Sequence, residues 1–125
     1  MRHNRYIELT TKIADANPNR KWKHAAILVK AGRILSVGLN NSKHAEVSVF
    51  RSPKVRYTTG HLYVARVPLS TPGVASDSRP CDDCILWLLD HTNIRYVHYT
   101  VPAGHEILDL RKVSVDELTP RSRAS

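Results

Sequence analysis

Two short stretches of this sequence have residue types and spacing suited to chemistry: His44-Ala45-Glu46 and Pro80-Cys81-Asp82-Asp83-Cys84. Positions two apart on a helix do not share a face. His44 and Glu46 can therefore enter one cleft only if His44 stands at the entrance of a helix. A metal ligand followed by an acid that is not a ligand fits that placement. Cys81 and Cys84 are three apart behind a proline, and proline suits the approach to a helix. The N-terminal end of a helix lowers thiol pKa and favours the thiolate, the form that binds metal. One imidazole and two thiolates make three ligands at a tetrahedral zinc. The open fourth corner is the mark of a catalytic rather than a structural site.

Two blander readings compete. A C-x-x-C pair can be a redox dithiol, although the interior Asp82-Asp83 does nothing for that chemistry and simply suits a helix start. A structural zinc would want a fourth ligand. The remaining histidines, His3, His24, His61, His91, His98 and His105, show no paired spacing with the cysteines.

Elements to carry these residues can be read from periodicity. Tyr6, Ile7, Leu9, Ile13 and Ala16 recur near helical spacing and predict a helix over 3–16, ended by Asn17-Pro18. "HAAILVK" (24–30) and "ILSVGLN" (34–40) read as strands joined by a short turn into a hairpin. A helix is expected from Ala45 to Ser52, stopped near Pro53. A third strand follows over 61–68, then a loop rich in Ser, Gly and Pro. Cys84, Ile85, Trp87, Leu88 and Leu89 predict a helix from Cys81 to His91. "IRYVHYTV" (94–101) is a β-branched and aromatic strand. Pro102-Ala103-Gly104 is too short for a crossover, so a strand near 106–113 must return antiparallel. Ser114 with Glu117 resembles a capping box that opens a short helix in a tail over 113–125. The sum is one α/β domain over 1–125, with a mixed five-stranded sheet, helices on both faces and the last two strands antiparallel.

The start, "MRHNRYIELT", is polar and lacks an apolar h-region, so no signal peptide is expected. No apolar run is long enough to span a bilayer. Together with two cysteines at metal-ligand spacing, this reads as a soluble, cytoplasmic protein without a membrane partner. The chain carries 19 Lys+Arg against 11 Asp+Glu, a net charge of +8. Such a field favours a polyanionic partner, nucleic acid or nucleotide; the plain alternative is a solvated basic surface.

The two motifs together resemble the zinc-dependent cytidine and deoxycytidylate deaminases, whose signature is H-x-E followed by P-C-x-x-C. The expected order of elements over about residues 5 to 113 is similar to that family's three-layer fold. The resemblance implies that His44, Cys81 and Cys84 bind zinc and that Glu46 shuttles a proton to the leaving amine. It implies substrate contacts from Asn40, from the Ala45 amide to the base carbonyl, and from the Arg79 carbonyl to the exocyclic amine. Asn40 could equally be a turn residue, and the Arg79 side chain a solvated loop charge. Two departures stand out. Only three residues separate Asn40 from His44, which opens the pocket mouth. The closing hairpin resembles free-cytidine deaminases and certain bacterial toxin deaminases, and points to cytosine rather than adenine.

Cations gather near the motifs: "NRKWK" (19–23), Lys43, Arg51, Lys54, Arg56 and Arg79. Trp22 and Tyr57 lie among them, and aromatic rings interleaved with cations grip single strands, unless the two rings simply pack on the sheet and core. The expected substrate is cytosine in DNA, single- or double-stranded. Free deoxycytidylate or cytidine is the alternative. A binding module with a vestigial zinc site is remote, because Glu46 is intact. A polynucleotide-acting enzyme could be a monomer, whereas a free-nucleotide one would assemble.

Overall fold

The computed structural model describes residues 2–18, 23–40, 44–102 and 104–118. Its elements are α1 (Arg2–Asp15), β1 (Lys23–Lys30), β2 (Arg33–Leu39), α2 (Ala45–Ser48), α3 (Pro53–Arg56), β3 (His61–Val67), α4 (Asp82–His91), β4 (Tyr96–Val101) and β5 (Gly104–Asp109). Two single 3-10 turns follow, Leu110–Lys112 and Val115–Glu117. The five strands form one sheet in the order β2-β1-β3-β4-β5. β3 and β4 are parallel, joined through α4, and every other neighbouring pair is antiparallel, including β4 with β5. The mixed sheet and its closing hairpin are as expected from sequence.

Strand alternation sends successive side chains to opposite faces, and helices cover both. On one face Leu28, Leu62, Val64 and Val97 pack with Val49 and Phe50 near α2 and with Ile85 and Leu88 of α4. On the other, Ile7 of α1 meets Ile27, Val29 and Tyr63, and Ala14 meets Ala25, Ala65 and Val67. Ala14, not Ala16, is the small residue that lets α1 approach the sheet; Ala16 is exposed beyond the helix end. The β1–β2 turn places both Ala31 (φ 51°) and Gly32 (φ 77°) in the left-handed region. Two positive φ values in a two-residue loop match the right-handed twist of the flanking strands.

Three boundaries differ from expectation. The helix expected over 45–52 is a single turn. Ser52 is extended at φ −85° and ψ 124°, because the ring of a following proline disfavours helical backbone. Pro53 then opens α3 rather than merely stopping α2, as its preset φ allows at a first helical position. The last strand ends at Asp109, four residues early. The Asp109 carboxylate accepts from the Arg111 backbone N–H at 3.0 Å, which turns the chain. It also pairs with Arg95 at 3.1 Å. Ser114 makes no side-chain cap, and the turn it precedes is 3-10, so no capping box forms among the described residues.

Gly38 of β2 positions the site directly. A Cβ there would lie 2.5 Å from the Ala45 carbonyl oxygen and 2.6 Å from the Val49 nitrogen. Only glycine lets α2 sit this close to β2, where the Ser36 hydroxyl also donates to the Val49 carbonyl at 2.7 Å. Gly38→Ala should cost about 1–3 kcal/mol by overpacking, read as a lower urea midpoint; an unchanged midpoint would contradict this close contact.

Candidate metal centre

α2 and α4 follow the C-terminal ends of β2 and β3, so their N-termini converge at one end of the sheet. His44 occupies the N-cap of α2 with extended backbone, and Cys81 the N-cap of α4 likewise. Cys84 lies one turn into α4 and is buried. His44 Nδ1 is 3.0 Å from Cys84 Sγ and 3.6 Å from Cys81 Sγ. The three ligand atoms lie within 4.8 Å of one another. Residues 37 and 40 apart in sequence thus meet because the sheet aligns two helix starts.

The loop that delivers Cys81 is pinned rather than loose. The β3–β4 ladder ends at Val64 and Tyr99, and the loop fills the gap beyond. Ser76 N–H donates to the Arg66 carbonyl at 2.9 Å, and Ser78 N–H to the Thr100 carbonyl at 2.9 Å. The Ser78 hydroxyl donates to the Val64 carbonyl at 2.9 Å and accepts from the Thr100 N–H at 2.7 Å. These bonds hold Arg79 and Pro80 in place before Cys81. The sequence gives little sign of this, since Ser-rich composition is the ordinary signal of a solvated loop.

Glu46, only 3% exposed, sits in the first turn of α2. Burial raises its carboxyl pKa, and hydrogen bonding from Cys84 opposes that shift. The Cys84 thiol bonds toward Cys81 and holds Cys81 down to about 5. That same bond and burial push Cys84 up.

Ala45 is buried, and its N–H is among those a first helical turn leaves without an intrahelical carbonyl. Asn40 directly follows β2, where its Oδ1 accepts from the His24 N–H at 3.0 Å and from Asn17 Nδ2 at 2.6 Å. It therefore closes the β1–β2 end as a structural group as well. The Arg79 side chain lies 3.8 Å from Asp82, an exposed pair of little energetic weight. Trp22 and Lys43 lie outside the described residues. Of the nearby cations, Arg56 is engaged with the fold: it donates to the Phe50 carbonyl at 3.4 Å and stands 5.9 Å over the Trp87 ring. Arg51 and Lys54 are exposed, and Tyr57 is 66% exposed, so this ring is not core.

His24, not singled out from the sequence, stands near this end. Burial, Arg66 and His44 together hold its pKa down to about 4, and its Nε2 is buried without a hydrogen-bond partner. A lone His at the start of an apolar strand carries no distinguishing pattern, so only the fold could reveal it. An open groove of about 670 Å³ begins at Arg79 and Asp82 and runs past Asp109, Lys112 and Glu117; its charges are mixed rather than basic.

No known family's sequence profile matches this chain, and no curated protein matches it in sequence. Among solved structures, a glutamate-to-glutamine mutant of cytidine deaminase from Mycobacterium tuberculosis matches over 88% of this chain and 88% of its own. The identity is 24% and the TM-score 0.48. Among the described residues, no helix is long and apolar enough to cross a membrane.

Proposed function

We propose that this protein hydrolyses the amino group of cytosine to give uracil and ammonia, using a zinc ion held by His44, Cys81 and Cys84. The observation that carries this reading is one imidazole, two sulfurs and a buried carboxylate meeting at two helix starts. The donor set fits the metal. Around tetrahedral zinc, nitrogen and sulfur ligands stand about 3.6 Å apart. The Cys81 separation from His44 is 3.6 Å and matches; the Cys84 separation of 3.0 Å must open slightly.

When bound, zinc lowers the pKa of a water toward about 7. Glu46 takes a proton from the attacking water at its carboxylate. As oxygen adds at C4, Glu46 passes that proton to N3 of the base; it then carries the remaining hydroxyl proton to the amine, the C4–N bond breaks, and ammonia leaves with the C4 carbonyl formed. The Ala45 N–H binds the base carbonyl oxygen, and the Arg79 carbonyl accepts from the exocyclic amine. Asn40 contacts the base or the sugar.

The favoured substrate is cytosine within DNA. Its support is the net charge of +8 and the exposed Tyr57 beside Arg51 and Lys54, with Lys43 and Trp22 added from the sequence alone. Free deoxycytidylate or cytidine is the second reading. β2 favours it: this edge strand leaves Ile34, Leu35 and Val37 exposed, and apolar edge strands invite pairing with another copy. Uracil formation should be measured side by side on single-stranded DNA, duplex DNA, RNA, dCMP and cytidine. A DNA-acting enzyme that neutralises three phosphates loses about 40-fold in affinity for a fourfold rise in salt. Turnover confined to dCMP or cytidine, with a flat salt response, contradicts the DNA reading and leaves the deaminase reading standing.

A further inference from the structure

Three histidines far apart in sequence meet on the opposite face of the sheet from the metal centre. His3 lies in the first turn of α1, His61 opens β3, and His98 lies in β4. Alternation fixes the face: Leu62, Val64, Val97 and Tyr99 belong to the core beneath α4, whereas Tyr63 belongs to the core beneath α1. His61 and His98 share the Tyr63 side. One nitrogen from each of the three rings lies within 4.8 Å of the others. His61 Nδ1 is 2.8 Å from His98 Nε2. The His3 ring centroid is 4.4 Å from that of His98 and 5.3 Å from that of His61.

Mere space-filling accounts poorly for this cluster. Burying polar rings costs free energy unless their nitrogens are satisfied, and apolar side chains of similar size would pack without that cost. His98 is only 1% exposed, and its Nδ1 has no hydrogen-bond partner. His3 is itself oriented, its Nδ1 lying 2.6 Å from the Tyr63 hydroxyl. That is the kind of outer contact that aims a ligating histidine.

The geometry points to a second metal site, in which His3, His61 and His98 hold a divalent transition cation and clamp the start of α1 onto β3 and β4. Imidazole donors without thiolate or carboxylate suit zinc, nickel or copper, and not magnesium or calcium. Around a tetrahedral ion, three nitrogens stand about 3.3 Å apart. The His61–His98 separation of 2.8 Å must therefore open by side-chain rotation, while the other two already lie within 4.8 Å. The site is independent of the deaminase reading and shares no residue with it.

The test is zinc stoichiometry on tag-free, chelator-stripped protein, by equilibrium dialysis against zinc followed by elemental analysis. His3→Gln and His61→Gln should each bind one equivalent fewer than the wild type, whatever the occupancy of the Cys81/Cys84 centre. Tyr63→Phe removes only a hydroxyl and keeps the packing. It should weaken that equivalent alone by about 10- to 100-fold. In the wild type, zinc should also shift the imidazole nitrogen resonances of His61 and His98, a reading that needs no variant. Equal stoichiometry in wild type and both glutamine variants, or unmoved imidazole resonances at saturating zinc, overturns the proposal.

Discussion

Glu46→Ala should abolish measurable cytosine deamination while leaving one zinc at the Cys81/Cys84 centre. Positioned acid–base groups supply about 10²- to 10⁴-fold in rate, and this carboxylate is assigned both the removal and the return of the proton. Its burial makes alanine a risk, since a cavity beside α2 could shift His44. Glu46→Gln keeps the shape and removes only the ionisable oxygen, so it should lose activity equally with unchanged melting. Activity within tenfold of wild type in the glutamine variant, with zinc retained, would show that another group carries the proton.

Cys84→Ala should lose zinc at this centre, activity and much of the stability together. Metal that binds only the folded chain stabilises it by mass action, about 4 kcal/mol at a thousandfold excess over Kd. The loss should appear as a lower melting temperature in zinc-containing buffer. It should largely disappear once a strong chelator strips the wild type, because both proteins are then without metal. A variant that melts like the zinc-loaded wild type would break the link between metal and fold. Cys81→Ala should behave similarly with a smaller packing loss, since Cys81 is exposed and Cys84 buried.

The elements that build the sheet were legible because each buries a face with a clear period. β1, β3 and β4 are apolar runs, and Pro102 to Gly104 left no room for a crossover, so the closing hairpin followed. The clustering of His44 with Cys81 and Cys84 was legible for a different reason: few arrangements give those residue types at those spacings work to do. What escaped was set by contacts between distant segments. Ser78 reads as loop filler, yet it ties the turn before Cys81 to β3 and β4. His24 and the trio His3, His61 and His98 show no local pattern, because strand pairing and the docking of α1 alone bring them to their places. The end of the last strand escaped for a local reason: the Asp109 carboxylate accepts from the Arg111 N–H two residues on, and that turn ends a strand whose composition could have continued it.

The central claim is that one imidazole and two cysteine sulfurs share a zinc ion. X-ray absorption on the His3→Gln variant, loaded with one equivalent of zinc, tests it most directly. The account predicts two sulfurs at about 2.3 Å and a single histidine nitrogen at about 2.0–2.1 Å, with one further light atom. A first shell of nitrogen and oxygen without sulfur, or four sulfur ligands from paired chains, would contradict it.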